Sequence, residues 1–251
     1  MTLAACAALV ERGDPDRFLA VMAAPVHLRP QLLPLYAFNL EVARAPWVTE
    51  EPLIAEMRLQ WWRDVVENAA SGAARAHEVA GPLHDLIRDF GLPIAVLDRL
   101  IAARRWDIHR EPHDSAEALN TYLEDTGAGL MWLAARALGA PDTAEAPLRA
   151  YGWAAAAAGY LRAVPALQAR GRVPLPDGIT PLDLARDGLA RLATARAGRR
   201  VVPKAVAPAL LAGWQAEPIL RQVGDGTDAA LGLSEFQRRG RLIWQAFTGR
   251  W

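Results

Sequence analysis

An all-α fold is predicted for this sequence from three observations. Apolar residues recur at three- and four-residue spacings along most of the chain, the pattern that places them on one helix face. Ala, Leu, Arg and Glu dominate, and runs of β-branched residues are missing, so local propensity favours helix. Proline, glycine and short polar side chains punctuate the periodic stretches where helices should begin and end.

Taken in order, helices are expected over 2–11 and 15–23, with Asp14-Pro15 placing proline in a first turn. The next two are expected over 28–44 and 50–70, the second opened by Glu51-Pro52. Gly91-Leu92-Pro93 separates helices at 81–90 and 93–110. Ser115, followed by Ala116 and Glu117, reads as an N-cap with an acidic first turn for 115–139. An Ala-rich helix spans 144–169, and Thr180-Pro181-Leu182-Asp183 is close to a capping box opening 181–197. Helices at 204–223 and 228–248 complete the chain. Gly127, Gly129, Gly152 and Gly159 lie inside two of these helices, where each costs about 1 kcal/mol relative to Ala. Their presence predicts close packing, a kink or a cavity wall.

The 251 residues are 52% hydrophobic and 22% charged, ample for a core, and connections are short; one domain over 1–251 is expected. Formal net charge is zero, so nothing electrostatic argues for nucleic acid as a partner. Cys6 is the only cysteine, which excludes an internal disulfide and implies a reducing, cytoplasmic compartment. No basic region precedes the short apolar N-terminal run, and no stretch reaches the roughly 20 uncharged residues of a membrane span. Membrane contact is therefore expected to be peripheral, on the inner face of the cytoplasmic membrane. Arg186, Arg191, Arg196, Arg199, Arg200 and Lys204 form the most basic stretch, read as a solvated face able to meet anionic headgroups. Nine tryptophans, including Trp61, Trp62 and Trp106, read chiefly as bulky core residues set against Ala and Leu.

Three acidic pairs stand four apart, Asp85/Asp89, Asp107/Glu111 and Asp183/Asp187, a spacing that can hold Mg²⁺ against a diphosphate. Each is better explained as a solvated helix face: Arg88 neighbours the first, Pro112 ends the second, and the third lies in a first turn. His109 and His113 have metal-ligand spacing, but Pro112 intervenes and no Cys or third His completes a site, so no metal is assigned. Walker, G-x-G-x-x-G and C-x-x-C motifs are lacking.

Four strings carry more specific information: L-P-L-Y-A-F-N-L-E-V-A-R-A-P-W at 33–47, M-R-L-Q-W-W-R-D-V-V-E at 57–67, Y-L-E-D-T-G-A-G-L-M-W-L-A-A-R-A-L-G at 122–139 and L-R-A-V-P-A-L-Q-A-R-G-R-V-P-L-P at 161–176. In this order and at these distances they resemble the squalene/phytoene synthase family, whose members condense two prenyl diphosphates head to head. The resemblance implies the isoprenoid synthase type of helical bundle, with a central cavity. It also implies two acidic motifs binding Mg²⁺ and diphosphate, yet their four aspartate positions fall here on Ala43, Trp47, Ala163 and Leu167. Arg162, Arg170 and Arg172, from the former diphosphate side, are kept. Without those carboxylates the leaving group would not be neutralised, so no cofactor and no catalytic residue is expected.

The erosion is similar to that in a non-catalytic branch of the family associated with assembly of mitochondrial respiratory complex I, with α-proteobacterial relatives. This resemblance implies a pseudoenzyme acting with respiratory-complex subunits or assembly factors, or binding an isoprenoid or other lipid. A wholly hydrophobic cavity is expected, walled by Tyr36, Phe38, Trp47, Gly127, Met131, Tyr160 and Leu167. The alternative is an active, Mg²⁺-dependent prenyltransferase using relocated acids, such as Asp85/Asp89 or Glu41 with Asp64.

Overall fold

The computed structural model describes residues 3–69, 72–109, 111–226 and 231–251, and every regular element among them is helical. The expected helix ends at 2, 70 and 110, and the expected start at 228, lie outside the described residues. Among the described residues no helix is long and apolar enough to cross a membrane.

The chain opens with α1 (Leu3–Gly13) and α2 (Pro15–Ala23), the latter capped by the Asp14 side chain, which accepts from the Arg17 N–H. Next, α3 (Arg29–Arg44) runs through Pro34 and ends in a 3₁₀ turn, Ala45–Trp47. Then α4 (Pro52–Asn68) and α5 (Ala80–Phe90) follow, and Gly91 closes α5 in the left-handed conformation that favours glycine. The expected helix at 93–110 is split into α6 (Ile94–Ala103) and the single turn α7 (Arg105–Ile108).

Ser115 caps α8 (Ala116–Leu123) as expected, but the helix does not run uniformly to 139. One wider π turn, Glu124–Ala128, separates α8 from α9 (Gly129–Ala137). The Ala-rich stretch forms α10 (Glu145–Ala169), which continues past Pro165. Thr180 and Asp183 complete a reciprocal capping box for α11 (Pro181–Ala197). The expected helix at 204–223 is broken into α12 (Ala207–Leu210) and α13 (Ala216–Gly224), flanked and joined by 3₁₀ turns. Pro208 and Pro218, each lacking an N–H, sit in the first turns of these two pieces, where no intrahelical donor is needed. Last comes α14 (Glu235–Thr248), with a capping box from Ser234 and Gln237 and a left-handed Gly249 closing it.

Buried side chains from α1, α3, α5, α6, α9 and α10 join in one apolar cluster. Helix α10 is buried around most of its circumference and packs against α9, the π turn, α11 and α13. Small residues permit this. A Cβ placed on Gly127 would lie 2.1 Å from the Ala156 Cβ, and one on Gly152 would lie 2.4 Å from the Met131 Cβ and 2.9 Å from the Ala128 Cα. Backbone therefore meets backbone where the π turn crosses α10. Gly159 differs, because a Cβ there meets nothing within 4 Å.

Urea unfolding should separate the two situations. Gly127→Ala and Gly152→Ala are each expected to destabilise by about 1–3 kcal/mol through overpacking. Gly159→Ala should be neutral or stabilising by up to about 1 kcal/mol. Equal effects at all three positions would contradict the close crossing.

Candidate functional site

The π turn and the Ala/Gly face of α10 line a cavity of about 480 Å³, with α3, α7 and the Ala45–Trp47 turn among its other walls. Helical spacing selects what faces it. Tyr36, Asn39 and Ala43 come from one face of α3; Gly152, Ala156, Gly159, Ala163 and Leu167 form a stripe along α10. Every residue in the α10 stripe but the last is Gly or Ala, and the missing side-chain volume becomes the cavity.

Of the residues expected at the site, Tyr36, Ala43, Trp47, Gly127, Met131, Tyr160, Ala163, Leu167 and Arg170 line this space. Trp47 and Leu167 stand on the wall and leave the space open. Three residues do not line it. Phe38, two positions from Tyr36, points to a different face of α3, is fully buried, and packs edge-on against Trp62 at 5.4 Å. Arg162 turns off the stripe and pairs with Asp16 at 3.2 Å, tying α10 to α2. Arg172 is buried behind the wall, donating to the main-chain carbonyls of Asp107 and His109. The Arg170 and Arg172 guanidiniums each lie 5.1 Å from the centre of the Trp47 ring.

The cavity is not wholly hydrophobic, contrary to expectation, because helices distant in sequence bring polar groups into it. Arg17, Arg104 and Arg170 line it with a single carboxylate, Asp107. The reading of Asp107 as part of a solvated face is also corrected: it is buried, and its side chain accepts from the Tyr122 hydroxyl at 3.0 Å and from Arg104 at 3.4 Å. Burial raises the Asp107 carboxyl pKa, opposed by Arg104, Tyr122 and Arg172. The Arg104 guanidinium also donates to the Tyr122 oxygen at 2.7 Å, and burial pushes that phenol up. Asp107 was hidden in the sequence because Pro112 pointed to an exposed helix end; the packing partner, Tyr122, lies 15 residues away.

Four buried polar atoms on the wall have no hydrogen-bond partner among the described residues: Asn39 Oδ1, Arg17 Nε, Arg104 Nε and Trp106 Nε1.

The other acids lie elsewhere. Glu41 lines a separate depression of about 210 Å³ beside Trp61 and His77, and Asp64 accepts from Gln60 at 2.9 Å. Asp85 and Asp89 are exposed around Arg88. Asp183 belongs to the capping box. Among the described residues no group of three or more His, Cys, Asp or Glu converges as a metal site would require. His109 and His113 diverge: the first is exposed near Glu56, whereas the second is buried and stacked on Trp106 at 3.9 Å.

Burial lowers the His113 pKa to about 4, against a usual value of 6.5. The unfolded chain therefore takes up a proton on this ring below pH 6.5 while the folded chain does not until about pH 4. Stability should fall as pH drops through this window. Melting temperatures of His113→Phe should show a shallower decline there than the parent; identical slopes would refute the assignment.

Comparison with known proteins agrees with this architecture. The family profile described as Squalene/phytoene synthase matches residues 10–234. A Bos taurus protein named NADH dehydrogenase (ubiquinone) complex I, assembly factor 6 is 26% identical over 95% of this chain and 78% of its own. Its Homo sapiens counterpart is 25% identical over 87% and 72%. Among solved structures, a ligand-bound dehydrosqualene synthase superposes with a TM-score of 0.83 over 98% of this chain and 95% of its own, at 14% identity. That last likeness speaks for the fold alone.

Proposed function

Because this chain belongs to the squalene/phytoene synthase family, we propose that it keeps the family's cavity without its metal chemistry and acts as a non-catalytic assembly factor for respiratory complex I. The observation that carries this reading is the acid content of the cavity. The resemblance puts the family's four aspartates at Ala43, Trp47, Ala163 and Leu167; three of these side chains are aliphatic and the fourth faces two guanidiniums. Mg²⁺ demands oxygen ligands in near-octahedral array. The one carboxylate present, Asp107, already accepts from Tyr122 and Arg104, so the donor set does not fit the ion.

The same cavity suits an apolar chain ending in an anionic group. Leu123, Leu130, Met131 and Leu167 supply apolar wall, while Arg17, Arg104 and Arg170 outnumber the single acid. Bound there, an isoprenoid or other lipid would place its anionic end beside the Arg17, Arg104 and Arg170 side chains. The resemblance to proteins named for complex I assembly supports the biological role; the cavity supports a ligand as the means.

Deleting the gene should lower NADH-linked respiration while leaving succinate-linked respiration intact. Purified protein given farnesyl or geranylgeranyl diphosphate with Mg²⁺ should release no diphosphate above a blank; turnover would overturn the non-catalytic reading. Ala163→Trp, which fills the cavity, should fail to restore respiration in the deletion strain although the protein accumulates. Full rescue would separate assembly from ligand binding.

A further inference from the structure

A second basic and aromatic site lies away from the family's cavity, around α14. That helix buries only Leu242 and Gln245. Phe236, Ile243 and Phe247, at spacings of seven and four, form an outward stripe with Trp244 beside it. Phe236 is 88% exposed and Phe247 92% exposed. Both helix ends are capped, so the stripe belongs to a formed helix.

The charges beside the stripe are positive. Glu235 is the only acid of α14, and it is paired with Arg238 at 2.7 Å and Arg239 at 3.0 Å. Next to the helix, α11 and α13 complete a pocket of about 480 Å³ that Trp244 also lines. Its charged side chains are Arg196, Arg199, Arg241 and Arg250 against Glu217. Glu217 is held by Arg196 at 2.7 Å, and Arg196 also donates to the main-chain oxygen of Trp251. Arg199 and Arg250 have no carboxylate partner among the described residues.

We propose that α14 docks the protein onto an anionic lipid surface, burying Phe236, Ile243 and Phe247 in the interface while a headgroup phosphate enters the arginine pocket. An apolar stripe flanked by arginines is the composition that partitions into a charged membrane interface. Arginine holds phosphate oxygens in bidentate fashion, and Trp244 lies at the junction of stripe and pocket, where an amphipathic ring is favoured. A second copy of the chain is the poorer occupant, since a two-fold contact through this face would bring two arginine-rich surfaces together. The exposed residues at the start of α4, Leu53 and Met57, offer a contrast: Glu50, Glu51 and Glu56 surround them in sequence, and an anionic surface would repel them.

This deepens the proposed role at a membrane complex and rests on it only for which membrane is met. The test is co-sedimentation of the full chain with vesicles of phosphatidylcholine alone or of equal parts phosphatidylcholine and phosphatidylglycerol. Binding is expected to the anionic vesicles only, and to weaken as salt is added. Phe236→Ser/Phe247→Ser should reduce the partition coefficient at least about tenfold, and Arg199→Gln/Arg250→Gln should remove the preference for phosphatidylglycerol. Leu53→Ser/Met57→Ser should bind like the parent. All six positions are exposed, so folding is preserved and circular dichroism verifies it. Absence of binding by the parent, equal binding by the Phe variant, or a dimer that this variant converts to monomer would overturn the proposal. Diphosphate release and respiration play no part in this readout, so its failure leaves the cavity reading standing.

Discussion

Two backbones touch where the π turn crosses α10, and most of the site depends on that contact. Gly127 faces Ala156 and Gly152 faces Met131 with no room for another carbon. Close approach of this kind brings α8 and α9 against α10 and leaves the remaining Ala and Gly positions of the α10 stripe facing a gap. The gap persists because α3 and α7 meet it with Tyr36, Asn39 and Trp106, large groups anchored in their own helices. A regular helix at 124–128 would turn the following residues, Leu130 and Met131 among them, away from their present directions.

Electrostatics around the cavity follow from where the acids went. Ala43, Trp47, Ala163 and Leu167, on α3, the turn after it and α10, bring no carboxylate to the space, and Asp107 is the single acid on its lining. The Arg170 and Arg172 guanidiniums lie against the Trp47 face, where cation–π attraction holds the three side chains together. Arg162 instead shares Asp16 with Arg238. Burial tends to raise the Asp16 carboxyl, but hydrogen bonds from Gln215, Arg162 and Arg238 outweigh it and hold the group below its ordinary value. One carboxylate thus links α2, α10 and α14 in an ion-pair network.

Helix α10 also separates the two sites. Tyr151 and Gly152 are neighbours in sequence, yet Tyr151 lines the arginine pocket beside α14 and Gly152 lines the central cavity. Successive residues on a helix point about 100° apart, so one helix can wall both spaces without connecting them. The Tyr151 hydroxyl accepts from Gln245, one of only two buried residues of α14, which joins the outer helix to the middle of the bundle.

The sequence alone determined the all-helical class, most helix positions and the capping box at Thr180 and Asp183, because these depend on periodicity and on residues within one turn of each other. Tertiary structure alone decided the character of the cavity. Asp107 was read as solvated because its local surroundings ended in Pro112; only packing places it beneath Tyr122 and Arg104. Phe38 and Arg162 were misplaced because proximity in sequence to cavity residues does not fix a side chain's direction on a helix, which turns through each position. The polar lining comes from α2, α3, α7 and the turn after α10, and contacts among elements so far apart leave no local pattern. For the same reason the bare face of α14 was invisible: its apolar spacing matched a buried helix, and only the fold shows which of its sides the bundle covers.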